Sequence, residues 1–184
     1  MCDDDNSKII CSKNNIILRR SHDKNTYTMM FDIMNERINL SKIINLKLYT
    51  LLYELNKDVI ECVDILSESE TESTILLIFK QFGYEFGISK KYMCLKSYIE
   101  TSEDSIVIKS NSVNAYKLPG ILNCEEIVTP FTNLYVTLNS ESAASIKYVF
   151  NMEIDEELPI YMENMIGILM KQMFLRIKEF IENI

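Results

Sequence analysis

The sequence predicts an α+β fold, an antiparallel sheet followed by one long C-terminal helix, and three observations predict it. Strand-like segments follow one another from Lys57 to Ile154, separated by short polar turns. Helical periodicity is confined to Leu40–Leu55 and Pro159–Ile184. Strands segregated from helices in this way argue against a doubly wound parallel sheet. The third observation is composition: 184 residues, 47% hydrophobic and 25% charged, are enough for one folded core. With only 4 Gly and 3 Pro, long flexible linkers are not expected.

Residues 1–7 are polar and carry Asp3, Asp4 and Asp5, so a frayed start and a single domain over 8–184 are expected. Ile9 to Arg20 and Thr26 to Arg37 read as strands, and the polar cluster Ser21 to Asn25 joins them as a hairpin. Leu40, Ile43, Ile44, Leu48, Leu51, Leu52 and Leu55 recur at helical spacing, which gives one or two short helices. Strands follow at Lys57 to Leu66, Ser73 to Phe82, Lys90 to Glu100 and Ser105 to Val113. Pro119-Gly120 marks a loop. Ile121 to Val128 and Thr132 to Leu138 are strand-like, with Pro130 breaking them. In Ala144 to Ile154 the alternation puts Ala144, Ile146, Tyr148, Phe150, Met152 and Ile154 on one face. The last segment starts at Pro159, after Asp155, Glu156 and Glu157, a sequence suited to a helix N-terminus. Its stripe is Leu169, Met173, Ile177, Phe180 and Ile184, widened by Met162, Met165 and Ile166, and its length of about 37 Å can cross a sheet.

A net charge of −8 argues against nucleic-acid binding and against constant adhesion to anionic membranes. Cys2, Cys11, Cys62, Cys94 and Cys124 are odd in number and show no metal-type spacing, so reduced thiols and a cytoplasmic protein are expected. The start lacks the basic and apolar regions of a signal peptide, and no apolar run is long enough to span a bilayer. His22, the single histidine, lies in a turn, and no nucleophile-elbow, zinc-protease or phosphate-loop motif occurs. Glu68, Glu70, Glu72, Glu103 and Asp104 fall in turns and read as solvated surface. No catalytic residue, metal site or cofactor is therefore expected.

Three features have both a binding and a structural reading. Met162, Met165, Met170 and Met173 suit a wall against a variable apolar ligand, but equally an ordinary core. Lys96 sits in an apolar strand, and alternation gives it a face with Tyr92, Cys94 and Tyr98. Turned inward it would meet a ligand's phosphate or hydroxyl; turned outward it is a solvated lysine. Ser110 and Ser112 share a face with Ile106 and Ile108 and would offer hydroxyls to a head group or to nearby backbone.

The stretch from Ser89 to Phe180 resembles START (StAR-related lipid-transfer) domains. Lys90-Lys91-Tyr92-Met93 stands where that family usually has Arg-Asp-Phe-Val, and Ser110-Asn111-Ser112-Val113 resembles its strand ending in Ser-Val. Pro119-Gly120-Ile121-Leu122 resembles the loop that follows. Ser145 to Asp155 with Glu156-Glu157-Leu158-Pro159 resembles the last strand and the entry to the terminal helix. Lys91 replaces the family's Asp, Asn123 stands where an Arg is common, and no Trp is present. At Lys96 the family often has an Arg paired with a carboxylate, whose place here falls near Leu77. The usual N-terminal helix has no counterpart, so a shortened or trimmed member is expected.

The resemblance implies a helix-grip fold, a curved antiparallel sheet wrapped around the terminal helix with an internal apolar cavity. It implies one lipid ligand there, with phospholipid expected over sterol, transfer between membranes, no enzymatic activity, and a monomer that touches membranes transiently. The expected lipid-binding residues are Leu77, Phe79, Cys94, Lys96, Tyr98, Ser110, Ser112, Tyr148, Phe150, Met152, Met165, Leu169 and Met173, with Lys96 as polar anchor. Asn114 to Gly120 and the terminal helix are the implied gate, with Tyr116, Leu118 and Ile121 facing the bilayer. A slip of one residue in any strand would exchange its inward and outward sets. Two other readings stand beside this one: a helix-grip polyketide-cyclase or hydrolase-like enzyme, which needs an acid/base pair in the tunnel, and a protein-interaction module, which needs a collapsed cavity and an exposed apolar patch.

Overall fold

A computed structural model describes residues 7–22, 25–81, 89–115, 121, 123–153 and 160–184, with the side chains of 160–163 left aside. Its strands are β1 (Lys8–Lys13), β2 (Ile16–Arg20), β3 (Thr26–Met34), β4 (Ile60–Glu68), β5 (Glu72–Phe79), β6 (Lys91–Thr101), β7 (Ser105–Ser112), β8 (Glu125–Glu126), β9 (Thr132–Ser140) and β10 (Ala143–Asn151). Helices α1 (Leu40–Ile43) and α2 (Leu48–Leu55) separate β3 from β4, and α3 (Ile160–Asn183) closes the chain. The sheet order is β1-β2-β3-β10-β9-β7-β6-β5-β4, every neighbouring pair antiparallel, while the short β8 joins β6 in parallel.

The first strand-like stretch is two strands. Asn14 and Asn15 both take positive φ, 57° and 56°, the backbone that a tight hairpin demands and that asparagine tolerates better than most residues. The second hairpin forms as its polar cluster predicts, with Ile17 opposite Met30 and Arg20 opposite Tyr27. Ile121 to Val128 yields only the two residues of β8 among the described positions. The alternation in β10 holds, with Ala144, Ile146, Tyr148 and Phe150 buried and Lys147 exposed.

Helix α3 lies against β2, β3 and α2. Its buried stripe is Met173, Ile177 and Ile181, flanked by the half-buried Met170 and Phe174, while Met165, Phe180 and Ile184 are exposed. The expected stripe shares Met173 and Ile177 with this one but continues along the neighbouring ridge. At about 3.6 residues per turn, steps of three and of four both keep a ridge apolar, and sequence spacing does not choose between them.

Four contacts choose. Gly167 is buried, and a Cβ there would stand 2.9 Å from two ring carbons of Tyr27 and 3.3 Å from Leu18. Asn35, just past β3, donates its amide to the carbonyls of Ile181 (2.6 Å) and Ile184 (2.9 Å), which have no helical partner at this end. Arg176 forks onto the Asp58 carboxylate, with Nη2 to Oδ2 at 2.8 Å, and also donates to Asn56 Oδ1 at 2.9 Å. Lys178 is buried beside Glu182 and donates to the Asp32 carbonyl at 2.7 Å. An aromatic run lies under the helix: Tyr27 stacks on Phe150 (5.2 Å), Phe150 on Tyr148 (5.1 Å), and Tyr148 meets Phe174 at 4.6 Å.

Two stability predictions follow from this seating. In an ordinary helix interior Gly→Ala stabilises by roughly 1 kcal/mol; here Gly167→Ala overpacks a fully buried ring and is expected to destabilise by about 1–3 kcal/mol, read as a fall in the denaturant midpoint. The hydrogen bond from Arg176 holds the Asp58 carboxyl below its ordinary value of 3.8. A carboxyl depressed in the folded state adds stability above its unfolded pKa and loses it as pH falls through the folded one. Thermal melts should therefore show Asp58→Asn less stable than wild type at pH 7, with the gap closing below about pH 4.

Candidate functional site

The concave face of the sheet and α3 enclose a hollow of about 70 Å³. That is more than one water needs, and far below the roughly 300–1,000 Å³ of pockets that hold drug-sized molecules. Its walls come from eight stretches of the chain. Strands β5 and β6 give Leu77, Phe79, Met93 and Leu95; β7 and β9 give Ile108, Thr132 and Leu134. Strands β3 and β10 add Phe31, Ile33, Ile146 and Tyr148. Ile44, Leu48, Tyr49 and Leu52 line it from α2 and the segment just before it. Helix α3 roofs it with Met170, Met173, Phe174, Ile177 and Ile181. No Asp, Glu, His, Lys or Arg is among these residues.

The polar groups at the hollow are hydroxyls, and they are ordered. Strand register puts Ser73 beside Ser97, Ser97 beside Ser110, and Ser110 beside Thr132. All four are buried and share the strand faces of the lining residues Leu77, Leu95, Ile108 and Leu134, so they form one row across β5, β6, β7 and β9, of which Thr132 itself lines the hollow. Tyr49 reaches this row from α2. Its hydroxyl lies 2.7 Å from Ser110 Oγ and accepts from Ser97 Oγ at 3.1 Å, while the two serine oxygens are 2.8 Å apart. If Ser97 donates to Tyr49, Tyr49 donates to Ser110 and Ser110 to Ser97, the ring spends three protons and leaves lone pairs free. Ser73 Oγ, at the end of the row, has no hydrogen-bond partner among the described residues. Burial pushes the Tyr148 hydroxyl well above its ordinary 10.0, with the nearby Tyr49 adding to the rise and a hydrogen bond with Thr132 opposing it, so Tyr148 stays protonated.

The architecture matches solved structures over nearly its whole length. The human StarD13 (DLC2) lipid transfer and protein localization domain aligns with a TM-score of 0.73 at 9% identity, covering 97% of this chain and 90% of its own. The chain has the helix-grip fold of START domains. Human StAR-related lipid transfer protein 5 aligns with a TM-score of 0.68 at 11% identity, covering 98% of this chain and 86% of its own. A StAR-related lipid transfer protein fragment from Xanthomonas axonopodis gives 0.68 at 11%, covering 96% and 99%. No family model matches the sequence, and no curated protein does.

Within this START fold the expected residues separate. Leu77, Phe79, Tyr148 and Met173 line the hollow. Ser110 stands in the hydroxyl row beside it. Phe150 and Met152 are buried in the main core but do not reach the hollow, and Leu169 packs half-buried against that core. Ser112 is taken up by backbone, its Oγ accepting from the Thr129 N–H at 2.7 Å. Met165 is exposed. Tyr116 and Leu118 lie outside the described residues. Ile121 is not offered to a bilayer; it is buried in a second apolar cluster with Leu76, Ile78, Tyr92, Cys94 and Ala115.

That cluster explains the main correction. Cys94, Lys96 and Tyr98 do not face the hollow; Met93 and Leu95 line it, and Ser97 shares their face of the strand. Strand β6 is buried on both sides from Tyr92 to Leu95, so hydrophobicity along it gives no inward direction. Lys96 sits on the outer face, 3.2 Å from Glu72 and 4.9 Å from the centre of the Tyr98 ring. Among the residues that the sequence reading missed, Tyr49 and Thr132 line the hollow, and Ser73 and Ser97 extend the row of Thr132 across the sheet. Three small hydroxyl side chains in separate strands become a row only once the register is known. Because Lys96 is outside, Lys96→Ala is expected to leave uptake of any ligand in the hollow within about twofold of wild type, as measured by titration with a fluorescent lipid.

Proposed function

We propose that this chain binds a single lipid in the hollow between sheet and terminal helix and carries it between membranes. The observation that carries the reading is the wall itself: a space lined by aliphatic, aromatic and methionine side chains, with the hydroxyls of Tyr49, Thr132 and Tyr148 among them. Each methylene moved from water into such a site contributes about 0.8 kcal/mol, so a chain of ordinary length binds without covalent chemistry. The hollow must widen to admit it. Met93, Met170 and Met173 suit that task, since thioether side chains repack with little penalty. The lipid transfer for which the StarD13 domain and StAR-related lipid transfer protein 5 are named supports the same reading by analogy of fold.

The enzyme reading needs an acid/base pair at the hollow, and the lining offers only tyrosine and threonine hydroxyls for it. Phospholipid as the cargo rested on an inward Lys96, and that support is withdrawn by its place on the outer face. Among the described residues no helix is long and apolar enough to cross a membrane.

The test is native mass spectrometry of the purified full chain after incubation with mixed-lipid vesicles, followed by extraction and identification of the bound species. One lipid per chain is expected. Met173→Trp, which fills the hollow from the roof, should lower occupancy at least fivefold while circular dichroism stays that of wild type. Recovery of no lipid, or equal occupancy in the filled variant, would overturn the reading.

A further inference from the structure

The geometry points to an oxidative modification site at Cys11 and Lys171: a hydroperoxide oxidises the Cys11 sulfur, and the Lys171 amine captures it, joining β1 covalently to α3. The inference does not rest on the lipid-binding reading.

The fold brings the two groups together from both sides. Strand β1 stands at one end of the sheet. Its register slips between Ile9, opposite Arg19, and Cys11, opposite Leu18, so Ile10 is an extra residue. A bulge of this kind bends a strand and re-aims its side chains. Ile10 and Cys11, adjacent in sequence, accordingly both pack against the main core. From the other side, Gly167 lets α3 come down onto Tyr27 and Leu18, and Leu18 is the cross-strand partner of Cys11. Lys171 follows one helical turn later on the same face of α3. Its Nζ donates to Cys11 Sγ at 3.3 Å.

The second observation is what Lys171 lacks. It is 7% exposed, and a lysine is almost never so buried unless paired. The other buried lysine of α3, Lys178, has the Glu182 carboxylate and the Asp32 carbonyl. Among the described residues Lys171 has neither kind of partner, and its one hydrogen bond goes to sulfur. A thiol is a weak acceptor, so packing alone gives little return for burying an amine against it. The arrangement does hold a nitrogen nucleophile in contact with a sulfur, and groups fixed in contact react as if at very high concentration. Cys11 is half-buried and open to a small oxidant. Among the described residues no lysine donates a hydrogen bond to Cys62, Cys94 or Cys124.

One equivalent of hydrogen peroxide completes the chemistry. The sulfur attacks a peroxide oxygen, the S–O bond forms as the O–O bond breaks, and the departing oxygen takes the thiol proton and leaves as water. Sulfur is oxidised by two electrons, peroxide is reduced, and Cys11 becomes a sulfenic acid. The Lys171 nitrogen gives its extra proton to solvent and attacks the sulfur. The N–S bond forms, the S–O bond breaks, and hydroxide takes a second proton from nitrogen and leaves as water. The product is a sulfenamide. An added thiol attacks its sulfur and releases the amine.

The experiment exposes the purified full chain to hydrogen peroxide without added thiol and maps the product by tryptic digestion and mass spectrometry. The expected product is lighter by two hydrogens, with residues 9–13 joined to a peptide left uncut at Lys171. Dithiothreitol should restore the original mass. The bridged chain should melt at a higher temperature than the reduced one, because the link closes a loop between residues 160 apart in sequence. Cys11→Ser should abolish the bridge. Lys171→Arg keeps the charge but loses the amine, so its Cys11 sulfenic acid should persist and take dimedone at least about fivefold more than in wild type. Conversion of Cys11 to a sulfinic acid with no bridge, or a bridge formed equally by Lys171→Arg, would overturn the proposal. So would a Cys11 that remains a thiol after peroxide has modified Cys62 or Cys124.

Discussion

The seating of α3 on the concave face of the sheet is the constraint on which the rest depends. An amphipathic helix can roll along its axis by one ridge and still bury apolar residues, so hydrophobicity alone leaves its rotation loose. Gly167 removes that freedom by letting the helix backbone come down onto the Tyr27 ring, which is itself fixed in a stack with Phe150. Asn35 holds the far end through its terminal carbonyls, and Arg176 ties the middle to the α2–β4 corner. With these points set, Met170, Met173, Phe174, Ile177 and Ile181 point at the sheet together.

The hollow follows from that seating. Two rigid surfaces held at fixed points cannot collapse fully upon each other, and side chains fill most of the intervening space but not all of it. What remains is bordered on the strand side by Thr132 among larger residues, and from α2 by Tyr49, whose hydrogen bonds with Ser97 and Ser110 tie that helix to the sheet.

The strand-rich middle, the long terminal helix and the inner face of β10 were legible from period and order alone, because each has a pattern that only one environment explains. Legibility failed where two environments leave the same trace. Tyr92 to Leu95 are buried on both sides, under α3 on one and under the Ile121 cluster on the other, so Cys94 and Lys96 read as inward when Met93 and Leu95 are. The stripes through Leu169 and through Met170 are equally apolar in sequence, and only contacts with Tyr27 and Asn35 distinguish them. Asn14-Asn15 carried a turn signal inside an otherwise strand-like stretch. Ser73, Ser97 and Thr132 gave no signal individually, since their meaning lies in a register that joins residues far apart in the chain.

The most direct measurement is a methyl-labelled NMR titration of the full chain with a lipid. Ligand in the hollow predicts that methyl signals of Leu77, Leu95, Ile108, Ile146 and Ile177 shift together and saturate at one equivalent, while those of Leu76 and Ile78 on the outer face stay still. Shifts confined to the outer-face methyls, or none at saturating lipid, would contradict the account.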